Sequence, residues 1–164
     1  MCSLSAALRP LILVVVVAGL AACGATITVV SPPQLAAGAS YPTLKIEAAT
    51  DTVEIPAEAR AHFEKRLNEY LFAKNSGFTP GDSLTLRYRF IQYDEGNRAL
   101  RYVVGFGAGK DKMTTEVTFH DQAGAELGKI EVEGEIIMGF FGGDFDSAIS
   151  AAAKKIADYA IKTF

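Results

Sequence analysis

Ile130-Glu131-Val132-Glu133-Gly134-Glu135-Ile136 sets apolar residues against acidic ones at nearly every second step. A period of two marks a half-buried strand, with one face on a core and the other in water. Glu131, Glu133 and Glu135 are therefore read as a solvated row of carboxylates. The same period returns upstream. Leu84, Leu86, Tyr88 and Phe90 alternate with Thr85, Arg87 and Arg89, and Val117 and Phe119 alternate with Glu116, Thr118 and His120. Further back, Leu44, Ile46 and Ala48 alternate with polar neighbours. Asp121-Gln122-Ala123-Gly124 reads as a hairpin turn, as does Asp94-Glu95-Gly96-Asn97, with a returning strand expected from Ala99 to Gly105.

Two segments carry a helical period instead. Pro56 suits a helix start, and Ala59, Phe63, Leu67, Tyr70 and Leu71 form one apolar stripe up to Asn75-Ser76-Gly77, which stops it. Near the end, Asp144 is placed to cap a helix with the stripe Phe145, Ile149, Ala152, Ile156 and Tyr159. Lys154, Lys155 and Lys162 lie toward its C-terminal half, where positive charge suits the helix dipole. Its alanines, including Ala148, Ala153 and Ala160, permit close approach to a sheet. Strand, helix, consecutive strands, helix predicts an α+β, two-layer fold: one mainly antiparallel β-sheet with two helices packed on one face. The terminal Phe164 follows the helical period rather than that of a lipid-facing strand.

The N-terminus has another character. Arg9 precedes the apolar run from Pro10 to Ala22, about 13 residues where spanning a bilayer takes about 20. This is the layout of a secretory signal peptide. Leu20-Ala21-Ala22-Cys23 resembles the lipobox of bacterial lipoproteins. That resemblance implies cleavage before Cys23, acylation of its thiol with a diacylglyceryl group, and a further amide-linked chain. Two or more chains anchor a protein stably where one holds it only marginally. Gly24 occupies the place of the inner-membrane retention aspartate, so the outer membrane, periplasmic face, is expected. The resulting division is a leader over 1–22, an acylated Cys23 with a flexible Pro/Gly-punctuated tether to Tyr41, and a single domain over 42–164. Within the tether, Ile27-Thr28-Val29-Val30 is the one stretch with strand character.

Composition narrows the function classes. Sixteen Lys and Arg against nineteen Asp and Glu give a net charge of −3, with no basic excess for nucleic acid. The two cysteines are Cys2, in the leader, and Cys23, so the mature domain holds no thiol for a disulfide, nucleophile or zinc site. About 140 residues remain after the leader, enough to bury about two-thirds of the chain surface.

The glycine-rich and histidine-bearing stretches fall short of catalytic patterns on specifics. Gly105-Phe106-Gly107-Ala108-Gly109-Lys110 lacks the first glycine and the hydroxyl of a phosphate loop, Val104 and Asp111 standing there instead. It also leads from strand to strand, so Gly105, Gly107 and Gly109 are read as a glycine-rich connection. In Phe140-Phe141-Gly142-Gly143-Asp144 the aspartate competes with any anion for the helix N-terminal donors, and Phe140 and Phe141 are read as core or as an interaction patch. His62 pairs by spacing with Glu58 on a polar helix face. His120 ends its strand beside Asp121, and neither histidine has metal-ligand spacing. No metal or cofactor is expected, and no catalytic residue is assigned.

The stretches from Tyr93 to Tyr102, from Gly105 to Lys110 and from Gly139 to Gly143 resemble an uncharacterised family of bacterial lipoproteins known only as a domain of unknown function. The resemblance covers residues 41–164 and implies an envelope role, with no site residue to carry over. The fold pattern also looks like that of small envelope-lipoprotein domains, including the periplasmic part of a curli-secretion channel. The expected function is a non-enzymatic, lipid-anchored protein that binds or scaffolds another envelope component. The alternatives are self-assembly into a secretion-channel-like ring, and a small-ligand carrier or enzyme built around His120 and the glutamate row.

Overall fold

The computed structural model describes residues 25–94, 112–135 and 145–164. The elements are β1 (Ala25–Ser31), β2 (Thr43–Ala48), α1 (Ala57–Leu71), β3 (Thr79–Pro80), β4 (Leu84–Asp94), β5 (Lys112–Asp121), β6 (Glu126–Glu135) and α2 (Phe145–Thr163). Six strands form one open sheet in the order β1-β6-β5-β4-β2-β3, so the fold is α+β as the alternation predicts. The sheet is mixed. β4, β5, β6 and β1 are antiparallel neighbours, whereas β2 runs parallel to β4 and β3. The parallel pair follows from connectivity, since β2 reaches β4 through the crossover helix α1.

Both helices cover the face bearing Leu84, Leu86, Tyr88 and Phe90 of β4, Val117 and Phe119 of β5, and Ile130 and Val132 of β6. Register lines these up across the sheet: Tyr88 opposes Val117, and Val117 opposes Ile130. Phe63 of α1 seats against Tyr88 and Phe90, with ring centroids 5.1 Å away in each case. Burying a side chain of that size contributes about 1.5–3 kcal/mol. α2 supplies Ile149, Ala152, Ala153, Ile156, Ala157 and Ala160 to the same core, the small residues bringing it close to β6. Phe164 continues the helix through its backbone bond to Ala160 and stacks on Phe119 at 4.8 Å.

Two readings of the sequence are corrected. Residues 25–41 are not a tether: Ala25–Ser31 is an edge strand paired antiparallel to β6 from Ala25↔Gly134 to Val29↔Ile130. Gln34 N–H then donates to Leu127 O at 2.7 Å, and Tyr41 packs edge-on against Phe164. The strand includes the Ile27–Val30 stretch with strand character, and its register shifts between Val29 and Ser31, which breaks the alternation there. α1 ends at Leu71, ahead of Asn75-Ser76-Gly77, and Pro56 stands one residue before it. On one side β4 is paired with β5 down to Asp94↔Lys112. The returning strand was expected over 99–105. That segment lies outside the described residues, as do Cys23, Gly105, Gly107, Gly109, Phe140, Phe141 and Asp144. The turn at 121–124 forms as read: Gly124 has φ +84°, and Ala125 N–H donates to Asp121 Oδ1 at 2.9 Å.

Candidate functional site

β3 covers β2 only at Thr43 and Leu44. From Lys45 to Ala48 the edge of β2 has no strand partner among the described residues. A groove of about 910 Å³ runs along it. Ile46 and Leu44 line its strand side, Glu64, Asn68 and Phe72 its helix side, and the Pro80–Asp82 turn one end. That end is fixed by a clamp. Thr43 N–H donates to Ser83 Oγ at 3.0 Å, Ser83 N–H to Thr43 Oγ1 at 3.0 Å, and Ser83 Oγ to Thr43 O at 2.7 Å. Gly81 is required there, because a Cβ would lie 2.5 Å from the Thr43 Cβ.

Tyr88 and Glu64 meet in this groove. The phenol of Tyr88 donates to Glu64 Oε1. Burial, reinforced by the neighbouring carboxylate, pushes the Tyr88 hydroxyl well above the usual tyrosine range. At neutral pH the group is thus a hydrogen-bond donor and not a base. Beside it, Arg60 pairs with Asp51 and lies over the Phe90 ring at 5.4 Å, while Asp51 Oδ1 accepts from Phe90 N–H at 2.9 Å. The arrangement offers strand hydrogen bonds and an apolar wall, which suits an extended polypeptide.

The opposite sheet face is charged but internally compensated. Glu116 is ion-paired with Arg89 at 2.7 Å and Lys129 at 2.6 Å, Glu47 holds Arg87 at 2.7 Å and Lys45 at 2.8 Å, and Lys112 pairs with Glu133 at 2.9 Å. Burial alone raises the Glu116 carboxyl, but its two cationic partners outweigh that and hold it below the ordinary range. The expected solvated row of glutamates is accordingly corrected: Glu131 and Glu133 are half-buried, and Glu133 is ion-paired. Register placed those partners, and register is not written in a single strand.

The histidines are elsewhere. His120 Nε2 meets Thr118 Oγ1 at 3.0 Å and Nδ1 meets Gly124 O at 3.3 Å, so it belongs to the β5–β6 turn. His120 pairs across to Glu126, while Glu131 sits opposite Glu116, four residues or about 13 Å along the strand. The two groups do not converge. His62 does not pair with Glu58; its Nε2 lies 3.1 Å from Ser150 Oγ and its Nδ1 3.9 Å from Asp146, across the helix interface. Among the described residues no three His, Cys, Asp or Glu side chains gather as a metal site.

The second open edge is β1. Val29 and Val30 are 46% and 47% exposed, and β1 has no partner beyond β6 among the described residues. β1 falls on the Ile27–Val30 stretch that has strand character in the sequence, but nothing local marks either strand as an edge beyond β1 being uncharged and without the usual lysine or proline guards.

A family model described as Domain of unknown function (DUF4410) matches residues 15–139. The chain belongs to this family. The match starts earlier than the expected resemblance and ends earlier too, taking in β1 to β6 and stopping before α2. Membership therefore treats β1 as part of the domain. No curated protein matches the sequence. Among solved structures, the chain is similar to the PelC dodecamer from Paraburkholderia phytofirmans, with TM-score 0.49 at 16% identity over 85% of this chain and 97% of that one. A single-site variant of that dodecamer gives TM-score 0.46 at 14% identity with the same coverage. No helix among the described residues is long and apolar enough to cross a membrane.

Proposed function

We propose that the chain is a non-enzymatic envelope lipoprotein, acylated at Cys23 and held at the periplasmic face of the outer membrane, that binds or scaffolds another envelope component. The observation that supports this reading is the position of β1. Its first residue, Ala25, follows Cys23 by two positions and pairs with Gly134 at one end of the sheet. An acylated Cys23 leaves no slack, so that end of the domain rests against the bilayer. Asp94, Lys112 and Glu135 share the same end through their cross-strand register. The connections that leave it include the apolar sequences Leu100 to Gly109 and Ile136 to Phe141.

The test is fractionation with crosslinking. Cys23→Ala is expected to release the chain from the membrane fraction, and crosslinking in intact cells to trap a defined partner with the acylated form. A Cys23→Ala chain that stays fully membrane-bound overturns the anchor. A second reading, self-assembly, is supported by the uncharged edge of β1, which like that of β2 beyond Leu44 has no further strand partner among the described residues.

A further inference from the structure

The two open edges are complementary in direction. β1 is antiparallel to β6, β6 to β5 and β5 to β4, while β4 is parallel to β2. β1 and β2 therefore run in opposite senses within one molecule. Two copies standing side by side with the same end toward a membrane present β1 of one to β2 of the next as an antiparallel pair.

We infer that the partner of the β1 edge is a second copy of this chain, whose β2 edge and adjoining groove receive it. The inference rests on the anchored reading above, because the anchor selects among the pairings. An antiparallel β1–β1 pair needs a two-fold axis across the strands, which sends the two Cys23 residues in opposite directions. A parallel β1–β1 pair keeps the anchors together but turns the helix-covered face of one sheet beside the bare face of the other. Pairing β1 with β2 keeps both the anchors and the faces aligned.

Side chains agree with this geometry. Ile27 and Val29 lie on the helix-covered face of β1, as Ile46 and Ala48 do on β2. The register that sets Val29 opposite Ile46 sets Ile27 opposite Ala48 and Thr28 opposite Glu47, covering a valine that is 46% exposed. β1 carries no charge to oppose Lys45 or Glu47. The groove has room for an added strand, and β3 with Pro80 marks where the pairing stops. Such a contact is heterologous: each copy uses two different surfaces, so the assembly closes as a ring or grows as a filament.

Paired cysteines test it. Thr28→Cys and Glu47→Cys in one chain, acylated and extracted in mild detergent, are expected to give a ladder of disulfide-linked multimers on oxidation, while either alone gives none. The ladder is also expected in a Cys2→Ala, Cys23→Ala background, so a failed contact is read separately from a failed anchor, which fractionation reports. Val30→Lys is expected to abolish the ladder while leaving the melting temperature unchanged, since Val30 is exposed and outside the core. A dimer from Thr28→Cys alone, or a monomer in native mass measurements with no ladder, overturns the inference.

Discussion

Gly134 of β6 lies beneath Ala148 of α2 so closely that a Cβ on the glycine would be 3.0 Å from the Ala148 carbonyl oxygen and 3.5 Å from the Ala152 Cβ. Helix backbone cannot yield as a flexible side chain does. Gly134→Ala is expected to destabilise the domain by about 1–3 kcal/mol, the range for overpacking a filled core. Gly134→Val should cost more. Thermal melts of both variants check the order, and an Ala variant as stable as the parent rejects the close approach.

Glu116 is 8% exposed and carries two cations. Its folded pKa is depressed, so its contribution to stability is present above the unfolded value of about 4.3 and is lost as pH falls through the folded value. Glu116→Gln is expected to weaken the domain at neutral pH by about 1–3 kcal/mol, leaving Arg89 and Lys129 without their carboxylate. Its denaturant stability should also fall less steeply than the parent's on acidification below about pH 4.

For Tyr88 the sign reverses. Its folded pKa is raised, so the unfolded chain ionises first and stability falls as pH climbs above about 10. Tyr88→Phe removes that component. Stability profiles from pH 8 to 11 should therefore converge between variant and parent as pH rises, starting from a gap of about 1 kcal/mol for the lost bond to Glu64.

Thr115 is fully buried between Phe90 and Val132, and among the described residues its hydroxyl has no hydrogen-bond partner. Thr115→Val keeps the shape and removes the unpaired group. A stabilisation of about 1 kcal/mol is expected, seen as a higher denaturation midpoint at unchanged slope.

Asp51 ties the loop after β2 to both layers, through Arg60 of α1 and the Phe90 amide. Asp51→Ala strips both bonds and should cost about 2 kcal/mol, with Asp51→Asn retaining part of it. Urea titration of the three proteins ranks them.

The alternations of β4, β5 and β6 were plain in the sequence because each strand sets apolar residues on the core face and mostly polar ones on the other. The stripe of α1 from Ala59 to Leu71 was equally plain. What stayed hidden depends on a second segment far along the chain. Val30 reads as one apolar residue too many until its register against Lys129 and Ile130 shows a bulge. Glu116 reads as surface until Arg89 and Lys129 are set on either side of it. The Tyr88–Glu64 bond joins a core stripe to the margin of a helix, and no local period brings those together. The open edge of β2 is a consequence of how short β3 is, two residues that no pattern announces.

The pairing of Ala25 with Gly134 joins nearly the two ends of the sheet's sequence. A chain that emerges N-terminus first therefore has β1 ready earliest and seats it last, after β6 has been delivered. Contacts so distant in sequence form slowly, since a long loop must close before they stabilise anything. Until then β1 is an unattached strand and β6 an unoccupied edge, so the order of assembly within one molecule and between neighbouring molecules is set by how soon that last strand finds its own sheet.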